Sequence, residues 1–244
     1  MGAEGSYGHR ARVGYTSVAF VTEVLPVEFY RMAPEGVTLS LITLEQVSLT
    51  PDEMDRLYDR TLAAARTLAE ADVDVIVLGG RPVILTRGID GAYGLLDELS
   101  AELGKPITSD VTAQLEAFKA LGSRKVVSVH PFGNDENQRH DDRISELGLQ
   151  PAGSFGGGST LAELPKLPQD AAFAWGREAA KKFPDADTML FPCPHWPVAG
   201  AIAALEAELG VTLLTNLQAT LWKSLRMCGI DDSITGYGRL LEEL

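Results

Sequence analysis

The sequence predicts an α/β protein built on parallel sheets with helices on both faces. Three observations carry that expectation. Short apolar runs of strand type alternate with amphipathic runs of helical type along the whole chain, and this rhythm implies right-handed crossovers and parallel pairing. Glycines close the helical patterns at Gly104, Gly122, Gly148, Gly210 and Gly229, where a left-handed residue commonly ends a helix. The third observation is an internal echo. Glu102-Leu103-Gly104-Lys105-Pro106-Ile107-Thr108-Ser109-Asp110 is matched by Glu208-Leu209-Gly210-Val211-Thr212-Leu213-Leu214-Thr215-Asn216. In both, a helix ends at Leu-Gly, a short strand follows, and a hydroxyl-plus-Asx pair opens the next helix. A duplicated α/β lobe explains this simply. Chance recurrence of a common capping pattern is the alternative.

The elements follow in order. Expected strands are Arg12–Ser17, Val37–Thr43, Asp74–Leu78, Lys125–Val129, Leu149–Ser154, Thr188–Phe191 and Val211–Leu214, with a short one at Pro106–Thr108. Most are brief runs rich in Val, Ile, Leu or Thr, the pattern of a strand buried on both faces. Expected helices are Pro51–Ala69, Leu95–Leu103, Val111–Leu121, Asn134–Leu147, Ala171–Phe183, Val198–Leu209 and Ala219–Cys228. Gly156-Gly157-Gly158-Ser159-Thr160 reads as a mobile loop. It lacks the Gly-Lys-Ser/Thr of a phosphate loop.

Composition narrows the function. At 244 residues, 45% hydrophobic and 23% charged, the chain has ordinary globular composition. A core of this size needs no metal or disulfide staple. The two cysteines are too few for a disulfide framework and are expected to be reduced, which places the protein in the cytoplasm. A formal charge of −13 leaves no basic footprint for nucleic acid. No stretch approaches a membrane span. Met1 to Arg12 has no apolar core of a signal peptide and reads as a loose leader.

Two strand tips carry the candidate chemistry. Thr188-Met189-Leu190-Phe191 runs into Pro192-Cys193-Pro194-His195-Trp196-Pro197, which puts a thiol at the carboxyl end of a strand, where open α/β sheets keep their ligands. Pro194-His195-Trp196 is expected to begin a helix, whose N-terminus would lower the thiol pKa. Cys193 is then a candidate proton donor or base; a buried inert cysteine is the bland alternative. The strand ending at Leu78 gives Gly79-Gly80-Arg81-Pro82, a comparable tip without a thiol. Arg81 offers a planar fork for a carboxylate, or is simply a turn arginine. Thr16, Ser17, Ser109, Thr215 and Asn216 lie at strand ends and can donate to a carboxylate or enediolate oxygen, or cap helices. His130, before Pro131-Phe132-Gly133, is also at a tip, and His195 is placed to tune the thiol. No paired-ligand spacing supports a metal, and no Gly-x-Gly-x-x-Gly opens a helix, so no cofactor is expected.

Cys193-Pro194-His195-Trp196-Pro197 is similar to the signature around the second catalytic cysteine of glutamate racemases. Glu28-Phe29-Tyr30-Arg31-Met32-Ala33-Pro34-Glu35-Gly36-Val37, Leu121-Gly122-Ser123-Arg124-Lys125-Val126, Gln218-Ala219-Thr220-Leu221-Trp222 with Leu225-Arg226, and Gly236-Tyr237-Gly238-Arg239-Leu240 resemble the arylmalonate decarboxylase and maleate isomerase branch of the Asp/Glu racemase superfamily. The resemblance spans nearly the whole chain. It implies two pseudo-symmetric lobes, each a small parallel sheet flanked by helices, with the active site in the cleft between them. The lobes are expected at residues 1–112 with 219–244, and at 113–218.

By that resemblance, racemases and isomerases hold a cysteine at both tips, whereas the decarboxylase has Gly at the first and Cys at the second. Gly80 and Cys193 fall at those positions. The chain departs from the decarboxylase at Arg81-Pro82, where that enzyme has Thr-Ser. It departs again at Phe132, where that enzyme has Tyr, and at Pro194, where it has Gly. The expected function is cofactor-independent decarboxylation of a substituted malonate-type diacid, with Cys193 protonating the enediolate. Gly80, Arg81, Thr16, Ser17, His130, Phe132, Pro194, His195, Thr215 and Asn216 would surround a small carboxylate substrate. A racemase or cis-trans isomerase, with His130 replacing the missing thiol, is the first alternative. A carboxylate-binding protein that has lost turnover is the second. The oligomeric state is left open.

Overall fold

The computed structural model describes residues 6–19, 22–47, 50–85 and 88–244. Residues 1–5 of the expected leader lie outside the described residues. The first compact unit comprises Met1–Thr22, Ala33–Gln114 and Thr220–Asp232. It holds strands β1 (Ala11–Ser17), β2 (Val37–Thr43), β3 (Val75–Leu78) and β4 (Ile107–Ser109), with helices α2 (Pro51–Glu70), α3 (Arg81–Ile84) and α4 (Gly88–Leu103). The four strands pair in parallel in the order β2-β1-β3-β4. Every residue of β3 is buried, as expected of a parallel strand covered on both faces.

The second unit comprises Glu23–Met32, Leu115–Ala219 and Ser233–Leu244. Its strands are β5 (Lys125–His130), β6 (Gln150–Gly156), β7 (Thr188–Phe191) and β8 (Thr212–Thr215), again parallel and in the order β6-β5-β7-β8. Helices α1 (Val24–Met32), α6 (Asn137–Glu146), α7 (Ala171–Lys182), α8 (Ile202–Leu209) and α10 (Arg239–Glu243) belong to it. Helices α5 (Asp110–Leu121) and α9 (Asn216–Met227) follow β4 and β8 and run from one unit's residues into the other's. The two sheets thus repeat one topology. In each, the order reverses beside the first strand, so the switch point lies at the carboxyl ends of β1 and β3 in one sheet and of β5 and β7 in the other. Both candidate tips fall there.

The units depart from the expected boundaries at two places. Residues 23–32 and 233–244 pack with the second unit rather than the first. The C-terminal segment is tied there by Gln218 Nε2 donating to the Tyr237 carbonyl at 2.7 Å and by the Arg239 N–H donating to Glu206. Segment 220–232 stays with the first unit, where Asp232 receives both arms of Arg10 at 2.6 and 2.7 Å. Helices α1, α3 and α10 were not expected. Pro26 sits in the first turn of α1, where a missing N–H costs nothing, but its presence makes the segment read as a loop. Helix α4 begins at Gly88, earlier than the expected Leu95.

The glycine run after β6 is not loosely held. Gly157 N–H donates to the His130 carbonyl, Gly158 to Phe132 and Ser159 to Pro131, at 2.9, 2.9 and 2.7 Å. A Cβ on Gly157 would lie 2.3 Å from the Trp175 ring, so glycine is needed for this close approach. The expectation of a mobile loop therefore gives way to a strap bonded across the end of β5. No helix among the described residues is long and apolar enough to cross a membrane.

Candidate active site

The second unit's tip is built on β7. After Phe191 the chain leaves the sheet for 192–198, and Phe191 is registered beside Thr215 at the end of β8. Cys193 is half-buried and lines a small pocket with Glu28, Met32, Pro194, Trp196, Val198, Ala199, Thr215 and Leu217. Two expectations fail here. No helix begins at Pro194: residues 194–196 form a bend, and the next helical turn starts at Ala199. The thiol pKa is therefore not lowered by a helix terminus. Burial pushes it up to about 12, opposed only by the His195 N–H that donates to the sulfur.

His195 is desolvated as well, and its pKa falls to about 4, so the ring is neutral near pH 7. Trp196 is 1% exposed. It packs between Trp175, with ring centroids 5.0 Å apart, and Phe191, at 5.8 Å. This aromatic stack fixes the loop from below. Thr215 accepts the Gln218 N–H at 3.0 Å while Gln218 Oε1 accepts the Thr215 N–H at 3.0 Å, a reciprocal cap on α9. Thr215 thus caps a helix and borders the pocket at once. Asn216 is buried as the first residue of α9.

His130 ends β5 but is fully buried. Its Nε2 bonds Asn137 Oδ1 at 2.8 Å, its ring stacks on His140 at 3.9 Å, and burial lowers its pKa. Phe132 lies 6.3 Å from the His130 ring, centroid to centroid. This packed, neutral histidine is poorly placed to serve as a second base. The unit also contains a cavity of about 330 Å³ between α7 and α8, lined by Val127, Phe183 and Met189 and bordered by the Arg177–Glu208 pair. It opens near the amino ends of β7 and β8, away from the candidate residues.

The first unit's tip is glycine-rich for physical reasons. A Cβ on Gly79 would meet the Thr16 carbonyl at 2.3 Å. Gly79 N–H donates to that carbonyl at 2.9 Å and approaches Thr16 Oγ1 at 3.2 Å. Gly80 has φ +119°, and a Cβ there would lie 2.3 Å from Val18 Cγ1. Gly80 N–H donates to Asp110 Oδ2 at 3.1 Å. Arg81 opens the short helix α3 and is half-buried. Ser17 is buried and its Oγ accepts the Ala19 N–H at 3.4 Å.

Ser109 exchanges backbone and hydroxyl hydrogen bonds with Thr112 at 3.1 Å, capping α5 as Thr215 caps α9. The sequence echo is therefore a repeated helix start. Two buried residues were not anticipated as site residues. Tyr15 ends beside Thr220, its pKa raised by burial and by the Asp110 carboxylate. Glu28 accepts the N–H groups of Val198 and Ala199 at 2.9 and 2.5 Å. The signal for Glu28 was a lone acid flanked by Val27, Phe29 and Met32, with a cation three residues on.

Two parallel sheets of one topology, with a thiol at one switch point and a glycine turn at the other, place the chain in the Asp/Glu racemase superfamily. It belongs to the arylmalonate decarboxylase family, whose sequence profile matches residues 18–241. Arylmalonate decarboxylase of Bordetella bronchiseptica is 28% identical over 198 residues, 80% of this chain and 82% of that one. A maleate isomerase of Geobacillus stearothermophilus is 20% identical over 222 residues, covering 85% and 84%. Among solved structures, a liganded arylmalonate decarboxylase variant, in which one glycine is cysteine and one cysteine is serine, superposes with a TM-score of 0.83. It is 25% identical and covers 96% of this chain and 100% of that one. The family is enzymatic, with decarboxylase and isomerase relatives.

Proposed function

We propose that this protein decarboxylates a substituted malonate-type diacid without a cofactor and that Cys193 protonates the resulting carbon. The observation that carries the reading is what stands at the two strand tips: one thiol, Cys193, lining a pocket after β7, and the glycine turn Gly79-Gly80 after β3. Burial pushes the Cys193 pKa up to about 12, which keeps the thiol protonated near pH 7 and able to act as an acid. A two-base racemase needs one group ready to take a proton, whereas protonation after loss of CO2 needs one acid. The first tip supports the same reading, since Gly80 supplies no second sulfur. The solved decarboxylase variant has one glycine changed to cysteine and one cysteine changed to serine.

In this mechanism the bond from the α-carbon to one carboxylate breaks heterolytically. CO2 leaves, and the electron pair spreads into an enediolate on the retained carboxylate. Arg81 is the candidate partner of that carboxylate, with strand-end hydroxyls such as Thr16 and Ser17 as further donors. The Cys193 S–H gives its proton to one face of the carbon, and water then returns a proton to the sulfur. Isomerisation of maleate is the second reading, favoured by the maleate isomerase relative.

Purified protein supplied with phenylmalonate should release CO2. Cys193→Ala should release it at a rate lower by two to four orders of magnitude, roughly the worth of a positioned acid, with the fold unchanged. Cys228→Ala, at the end of α9, should match the parent. Conversion of maleate with no CO2 from any arylmalonate would replace this reading with the isomerase.

A further inference from the structure

We infer that Glu28 is a positioning residue for Cys193, pinning the far end of the loop that carries the thiol; this rests on the reading of Cys193 as the acid. The loop leaves β7 after Phe191, whose place is fixed by its ladder with Thr215. Its other end enters a helical turn at Ala199, continued by α8. A helix start exposes N–H groups that need acceptors. The N-cap residue here is Val198, which has no side-chain acceptor of its own. Glu28, 5% exposed on α1, supplies the acceptor from a distant part of the chain, with one oxygen on both the Val198 and Ala199 N–H groups.

Its other oxygen receives Arg31 Nη1 at 3.0 Å. Arg31 in turn reaches Gln169 Oε1 at 3.3 Å, so the carboxylate is held from behind. Glu28 and Met32 line the same pocket as Cys193 and Trp196. A buried charge that accepts two backbone donors and one guanidinium is expensive to disturb. The loop therefore has two fixed ends, and the sulfur's position and desolvation follow from both. Catalysis by a placed acid is sensitive to this, because a displacement of 1 Å can cost about 10²-fold in rate.

The test uses the full-length protein in a Cys228→Ala background, with Glu28→Gln and Glu28→Ala. Gln keeps one acceptor for the two N–H groups but loses the charge and the match to Arg31; Ala keeps neither. Iodoacetamide alkylation of Cys193 is followed against pH, alongside turnover of phenylmalonate. Release of the loop should hydrate the sulfur and move the alkylation midpoint toward an ordinary thiol, with a rate gain near pH 8 of about tenfold per unit moved. The order should be Ala, then Gln, then parent.

Turnover should fall about tenfold for Gln and about 10²-fold for Ala, mostly in kcat. Folded Glu28 variants with the parent's alkylation profile overturn the inference, even if their melting temperature has dropped. Arg31→Gln leaves the cap acceptor in place and keeps the test open if both Glu28 variants fail to fold. It should shift the profile in the same direction by less, and an unshifted profile in folded Arg31→Gln overturns the inference. The alkylation arm does not depend on the reaction catalysed. A shifted profile without arylmalonate turnover in any variant would retain the positioning role and remove the decarboxylase reading.

Discussion

Gly80 is the position where the structure makes the most exacting demand. Replacing it with cysteine would install the second thiol that racemases of the superfamily carry, so the cost of that step can be worked out. Gly80 has φ +119°, which side-chain-bearing residues rarely adopt, and holding one there costs about 1–3 kcal/mol. The added Cβ also falls 2.3 Å from Val18 Cγ1, and overpacking of this kind costs about another 1–3 kcal/mol. Gly80→Cys should therefore lose about 2–6 kcal/mol in urea unfolding, with an unchanged dependence on denaturant. Gly80→Ala should lose as much, because the strain lies in the backbone and the Cβ rather than the sulfur.

Val18→Ala separates the two parts. Alone it should be mildly destabilising. In the Gly80→Cys background it should be stabilising, giving a coupling of about 1 kcal/mol or more in a double-mutant cycle. Gly80→Cys within about 0.5 kcal/mol of the parent, or a Val18→Ala effect identical in both backgrounds, would refute the reasoning; both thresholds reflect the usual scatter of independent sites.

Two further outcomes are expected. Ser109→Ala and Thr215→Ala should each cost about 0.5–2 kcal/mol, since each removes a helix cap; a loss in only one of them would break the equivalence of the two helix starts. Stability should also fall on mild acidification. His130 and His195 have folded pKa values below the ordinary value, His195 near 4. The unfolded chain then binds more protons than the folded one below about pH 6.5. The stabilisation is complete above that pH and is lost as pH falls toward 4, by at most about 1.4 kcal/mol per pH unit for each histidine. The partial exposure of His195 reduces its share. Urea midpoints at pH 7 and pH 4.5 measure this, and a shallower loss in His195→Asn would assign its part; no loss in the parent would show that the rings are not desolvated.

The alternating pattern made the parallel α/β fold readable, because short apolar runs separated by amphipathic helical segments pair most simply as parallel strands joined by helical crossovers, with β1, β3, β5 and β7 central. Cys193 was legible for a related reason: it follows directly on Thr188–Phe191, and a strand's carboxyl end is where such sheets place chemistry. What surrounds the thiol was less legible. Pro194 suggested a helix start, yet the acceptor that begins the helix comes from Glu28, 170 residues before Val198, and Ala199 is the first residue of the turn. Long-range capping leaves no local pattern.

Helix α1 was hidden by Pro26, and with it the attachment of residues 23–32 to the second unit. Ser109 and Thr215 could be read either as ligands or as caps, because both roles use the same hydroxyl at the same strand end. The distances show both hydroxyls capping helices, and Thr215 borders the pocket of Cys193 as well. His130 illustrates the limit in the other direction, since a tip position alone does not reveal that Asn137 and His140 enclose the ring.

The central claim is that Cys193 delivers one proton to one face of a carbon that has just lost CO2. Its most direct test is decarboxylation of α-methyl-α-phenylmalonate in deuterated water, with the product read by mass and by chiral chromatography. The account predicts one deuterium at the α-carbon, a single enantiomer, and no deuterium entering that monoacid when it is returned to the enzyme. Cys193→Ala should lose rate and handedness together. A racemic product from the parent, deuterium washed into the returned monoacid, or an unaltered enantiomer from Cys193→Ala at parental rate would contradict it.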